Sequence, residues 1–129
     1  MKRTFVLILA GLVVLGLAMA SGRAQSPGAK DIPPDVAQVF QKQCAGCHSG
    51  LLAPKGLKLS PSKIAKAIDA PSKEMPQFKL IDTASPESGY LLKKITGAEG
   101  IGGVKMPKGR ELAAADLEIL KAWLLGLKK

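Results

Sequence analysis

The sequence predicts an all-α domain of about four short helices, and three observations carry that prediction. Apolar residues recur at helical spacing in separate stretches. Prolines stand where helices open, at Pro33 and Pro34, Pro61 and Pro86. No stretch alternates apolar with polar residues as a half-buried strand would, and no repeat or low-complexity tract occurs.

The first helix follows Pro33 and Pro34 and carries Val36, Val39 and Phe40 on one face up to Cys44. Residues 50–59 read as loop, broken by Pro54 and Gly56. Ser60 and Pro61 then open a short helix through Ile68, as a cap followed by proline at the first helical position. After a loop over 69–78 the same signal recurs at Ser85 and Pro86. That helix places Leu91, Leu92 and Ile95 on one face and ends at Gly97. Residues 97–110 hold five glycines and one proline around Met106, a composition for an ordered or functional loop. The last helix, from about Ala114 to Leu125, presents Leu117, Leu120, Trp123 and Leu124 as a broad apolar face.

Ahead of this domain, at 33–129, stand two segments of other character. Residues 1–20 begin with Lys2 and Arg3, continue in an apolar run and end in small residues, the pattern of an export signal cut after Ala20 or Ala24. The apolar run from Thr4 to Ala20 is 17 residues, short of the ~20 that span a bilayer. Cleavage is therefore the expectation, leaving no membrane span and a periplasmic or secreted monomer. An uncleaved helix tethering the domain to the membrane is the alternative. Residues 21–32, small and polar, read as a flexible leader.

Loss of Lys2 and Arg3 with the signal takes the 19 basic residues to 17, against 10 acidic ones. Such a surplus suits acidic partners. Nucleic acid is a poor fit, because the lysines are scattered and Arg23 and Arg110 are the only arginines after the signal. Aromatic residues make up 4% of the chain, so a buried cofactor would add apolar surface that side chains do not supply.

Both cysteines and the single histidine fall within five positions, as Cys44-Ala45-Gly46-Cys47-His48. Four chemistries use such residues: a disulfide, a thiol redox pair, a zinc site and covalent haem attachment. A disulfide between Cys44 and Cys47 closes too small a loop to stabilise much and leaves His48 unexplained. A redox pair wants a helix starting at the motif to lower a thiol pKa, whereas here the helix precedes it. Zinc needs a fourth ligand, and no further cysteine or histidine exists. One haem c accounts for all three residues, with thioethers to Cys44 and Cys47 and His48 on the iron. Pro54 is the candidate carbonyl to receive the other ring N–H of His48, and Gly56, Leu57 and Leu59 are candidates to lie along the ring edge.

Two methionines compete for the opposite side of the iron. Met75 lies 27 residues beyond His48 and Met106 lies 58 beyond. The longer separation leaves room to travel around a porphyrin. Pro107 stiffens the backbone beside Met106, and Gly102, Gly103 and Gly109 permit close approach. Met106 is the preferred axial ligand and Met75 the alternative, each weighed against ordinary core packing.

With these residues the segment from about 34 to 126 resembles a class I type monohaem cytochrome c of the bacterial cytochrome c domain family. The resemblance rests on CxxCH, then SGYLLKKITG, GVKMPKG and a last helix with Leu117, Leu120 and Trp123, in that order. It implies a cytochrome c fold wrapped around one covalently bound haem, with His48 and Met106 on the iron. It also implies that Phe40 and Trp123 lock the first helix against the last. The chain departs from the pattern at Val36, where a small residue is usual, a change that predicts a looser or shifted crossing. It departs again at Ala113 to Ala115, where a Ser, Thr or Asp cap would be usual.

The function that follows is one-electron transfer between acidic redox partners, without catalysis. Lys42, Lys55, Lys105 and Lys108 are candidates to steer docking. Two other readings remain: a haem-bearing small subunit of an exported dehydrogenase, and an open-iron protein that binds small ligands or reacts as a peroxidase. No distal acid-base group supports the last.

Overall fold

The structure is a computed structural model and describes residues 31–129. The signal expected over 1–20 and most of the leader lie outside the described residues. Three α-helices organise the rest: α1 (Pro34–Gln43), α2 (Tyr90–Thr96) and α3 (Ala114–Gly126). Three short 3-10 turns, Pro54–Gly56, Ile64–Ala67 and Pro86–Ser88, punctuate the loops. Among the described residues there is no strand; Ile68 with Ile81 and Pro71 with Lys79 form isolated bridges.

Helix α1 starts as its prolines dictate, with Pro34 at the first position and the Pro33 carbonyl accepting from Ala37 N–H. It buries Val36, Val39 and Phe40. Helix α3 buries Leu120, Trp123 and Leu124, and the rings of Phe40 and Trp123 meet edge to face, with centroids 5.7 Å apart and planes at 82°. Val36 is accommodated in that packing as a buried core residue. Helix α3 begins at Ala114 with no side-chain cap. Asp116 instead accepts a hydrogen bond from Gln43 Nε2 at 2.5 Å, tying the start of α3 to the end of α1.

The second predicted helix, over 61–68, forms as a turn followed by the 3-10 segment Ile64–Ala67. Four residues form too few bonds to offset helix nucleation, and Ile68 leaves in an extended conformation to bridge Ile81. The element still serves the core, since Ile64 and Ala67 are buried beside Leu59 and Ile81. The third predicted helix is split by Gly89 into a 3-10 turn and α2. No helix among the described residues is long and apolar enough to cross a membrane.

Candidate haem-attachment site

The last turn of α1 runs straight into the cysteine motif. Phe40 carbonyl accepts from the N–H groups of Cys44 and Ala45, and Cys44 carbonyl accepts from those of Cys47 and His48. A tight turn results, anchored by Ala45 in the core. Both cysteines are free thiols; Cys44 is half-buried and Cys47 exposed. Burial pushes the Cys44 thiol up to about 11, against the opposing pull of the Arg110 guanidinium. Among the described residues no three His, Cys, Asp or Glu side chains converge as a bare metal ion would require.

His48 is held on three sides. Its N–H is bonded to Cys44, its carbonyl accepts from Leu59 N–H at 2.7 Å, and its ring Nδ1 lies 3.2 Å from the Leu57 carbonyl. The ring donates through Nδ1–H, which fixes the tautomer and leaves Nε2 as the electron-pair donor. Sequence reasoning placed Pro54 in this role. The structure corrects it: the Pro54 carbonyl is taken by Leu57 N–H inside the 3-10 turn. Lys55 and Gly56, with φ of 55° and 65°, reverse the chain and bring the next carbonyl to the ring. The two thiols and a preoriented imidazole are the donor set that covalent haem c needs, and this chain presents them in one turn.

The two methionines are held differently. Met75 belongs to a closed turn: its N–H donates to Ser72 Oγ at 3.1 Å, and its carbonyl accepts from Phe78 N–H at 2.9 Å. Met106 sits in the glycine-rich loop, half-buried, with its N–H donating to the Lys94 carbonyl of α2 at 2.8 Å.

Sequence reasoning missed what anchors that loop. Lys94 is 7% exposed; its Nζ reaches Gly102 carbonyl at 2.6 Å and Glu74 Oε2 at 2.9 Å. Tyr90 OH donates to Glu74 Oε2 at 2.7 Å and accepts from Gly102 N–H at 2.9 Å. The bond from Lys94, then that from Tyr90, holds the Glu74 carboxyl below its usual range. Burial, with Glu74 beside it, raises that of the Tyr90 phenol. One signal could have found Lys94: it stands four residues after Tyr90 and three after Leu91, spacing that puts it on the buried face.

The four candidate docking lysines do not stand alike. Lys105 is paired with Glu111, and Lys42 lies 3.9 Å from Asp116. Lys55 and Lys108 are exposed and form no ion pair among the described residues.

Residues 33–88 match the family model described as "Cytochrome C oxidase, cbb3-type, subunit III", a class I c-type cytochrome domain family. The match spans α1, the cysteine turn and the loops up to the 3-10 turn before α2, and the Met106 loop lies beyond it. No curated protein and no solved structure matches the chain. The turn that carries Cys44, Cys47 and His48, the packing of α1 on α3 and the matched segment agree: over residues 33–88 this chain is similar to a class I c-type cytochrome domain family, one that implies covalently bound haem c.

Proposed function

We propose that the protein is an exported monohaem carrier of single electrons, with thioethers at Cys44 and Cys47, His48 on one side of the iron and Met106 on the other. The observation that carries this reading is the bond between His48 Nδ1 and the Leu57 carbonyl, which commits one ring nitrogen and frees the other for a metal. Bound haem c supplies a reversible one-electron couple at iron.

The rest is the work of the chain. The Leu57 carbonyl keeps the imidazole from rotating and makes it a stronger donor. Met106 is supported as its counterpart by its place in a strap that α2 holds from outside, whereas the Met75 main chain is consumed in its own turn. Two permanent ligands leave no position for a substrate, so gain or loss of an electron needs little rearrangement. The exposed lysines Lys55 and Lys108 draw in an acidic partner and speed encounter.

A second reading has one observation behind it: the matched family model is named for an oxidase subunit. Under that reading the domain exchanges electrons inside a fixed complex, and purification from its host would yield it with larger subunits. A free carrier would elute as a monomer.

The deciding experiment compares holoprotein spectra of wild type, Met106→Ala and Met75→Ala. A near-infrared band from methionine sulfur to ferric iron, lost only in Met106→Ala, is the expected result. Loss only in Met75→Ala reassigns the ligand. Absence of the band in wild type means an open or differently ligated iron and overturns the carrier reading.

A further inference from the structure

The loop over 97–110 faces a physical difficulty. Its five glycines give it many conformations to lose on ordering, and it contains no helix or strand that would hold it. A thioether is a weak ligand, so any fraction of time the loop spends away from the iron opens that face to competing ligands.

Gly102, four residues before Met106, has both main-chain groups captured. Its N–H donates to Tyr90 OH, and its carbonyl accepts from Lys94 Nζ. The same hydroxyl and ammonium converge on one oxygen of Glu74. Glu74 comes from a third segment, the loop that also carries Met75. A Cβ at Gly102 would stand 3.0 Å from Glu74 Cγ and 3.3 Å from Tyr90 OH, so these two side chains close on the bare backbone there. The main chain of Lys94 then takes the N–H of Met106 itself. Two points of the strap are thus fixed to one residue of α2.

We propose that Glu74, Tyr90 and Lys94 form a lock that keeps the Met106 strap closed over the iron, acting as positioning residues rather than ligands. The proposal rests on Met106 being the distal ligand. A lysine side chain at such low exposure has lost most of its hydrating water and needs a partner in its place. Glu74 meets that need, and the Gly102 carbonyl fills a further donor position. Tyr90 is kept in place by stacking on Phe78, with centroids 5.9 Å apart and planes at 14°, so its hydroxyl can be removed without disturbing the ring.

The test uses holoprotein with Glu74→Gln and Tyr90→Phe, and Thr96→Ala, on the exposed side of α2, as a control. Imidazole affinity for the ferric iron reports how often the strap opens. Both lock variants are expected to bind imidazole at least about tenfold more tightly, since each breaks a hydrogen bond to a charged group. Their methionine band is expected to disappear at lower urea than the helical ellipticity, whereas in wild type and Thr96→Ala the two losses coincide. Amide exchange at Gly102 and Met106 should accelerate while exchange in α1 and α3 does not. Unchanged imidazole affinity with coincident urea midpoints overturns the lock while the ligand assignment stands. If wild type itself lacks the band, the ligand assignment fails and the lock fails with it. Should Glu74→Gln not fold, Tyr90→Phe decides alone, because it removes one oxygen and keeps the stack.

Discussion

The ring Nδ1 of His48 lies 3.2 Å from the carbonyl of Leu57, nine residues further along the chain. That carbonyl arrives there because Lys55 and Gly56 both adopt left-handed backbone. The orientation of the ring proposed to bind iron is therefore set by the backbone conformation of a turn further along the chain.

Gly56→Ala should disturb this arrangement. At φ 65° a Cβ costs ~1–2 kcal/mol, while the nearest atom it would meet, Lys73 Nζ at 3.2 Å, is the far end of a flexible chain. The expected outcome is a lower urea midpoint by that amount. The reduction potential should rise, because a weaker bond from Nδ1–H makes the imidazole a poorer donor to ferric iron. Urea titration and voltammetry of the holoprotein check both.

Phe40 and Trp123 should be energetically coupled. Either change to Ala removes a buried ring from the crossing of α1 and α3 and is expected to cost ~3–5 kcal/mol. The double variant should cost less than the two together by ~0.5–1.5 kcal/mol, the edge-to-face share of the pair. Denaturant unfolding of the four proteins closes that cycle.

Asp69 predicts a step in acid stability. The Thr83 N–H and hydroxyl, with Lys79, hold its carboxyl down to about 2 from an ordinary 3.8. The folded value lies below the unfolded one, so the unfolded chain takes up the proton first as pH falls. Its stabilising effect is complete above the unfolded value, declines as pH drops from 3.8 toward 2, and is gone below. Asp69→Asn should lower the unfolding temperature at neutral pH and differ little from wild type near pH 2. Thermal unfolding followed by ellipticity at several pH values tests this.

Electron exchange with an acidic partner should depend unequally on the lysines. Lys55→Glu and Lys108→Glu are expected to slow second-order oxidation several-fold at low ionic strength and to flatten its salt dependence. Lys105→Glu should also break its pair with Glu111 and so lower the urea midpoint, a loss the other two do not share. Stopped-flow rates across a salt series, beside urea titrations, separate the two effects.

Much of this was legible in the sequence, and the reasons are local. Covalent haem attachment would tie Cys44, Cys47 and His48 to one spacing, so three residues within five positions carry most of the candidate site. Periodicity places Phe40 and Trp123 on apolar faces, and the edge-to-face contact follows once α1 and α3 cross. The acceptor for His48 was misplaced because consecutive left-handed residues at Lys55 and Gly56 leave no side-chain signature beyond the single glycine. The second helix was overextended because Ser60 and Pro61 announce a start but nothing announces how soon Ile68 turns toward Ile81. Glu74, Tyr90, Lys94 and Gly102 were missed as a group, since they are spread over positions 74 to 102 and meet only in the folded chain.

The depression between the start of α1 and the end of α3 is lined by Pro33, Asp35 and Val36 on one side and by Trp123, Gly126 and Leu127 on the other. The point where the chain enters the domain and the point where it leaves are thus neighbours. A segment entering there and one departing there emerge side by side, so the unit could be spliced into an exposed loop of a host protein without stretching it. In engineering terms the domain is a cassette, and a redox centre could be moved by grafting at that one edge.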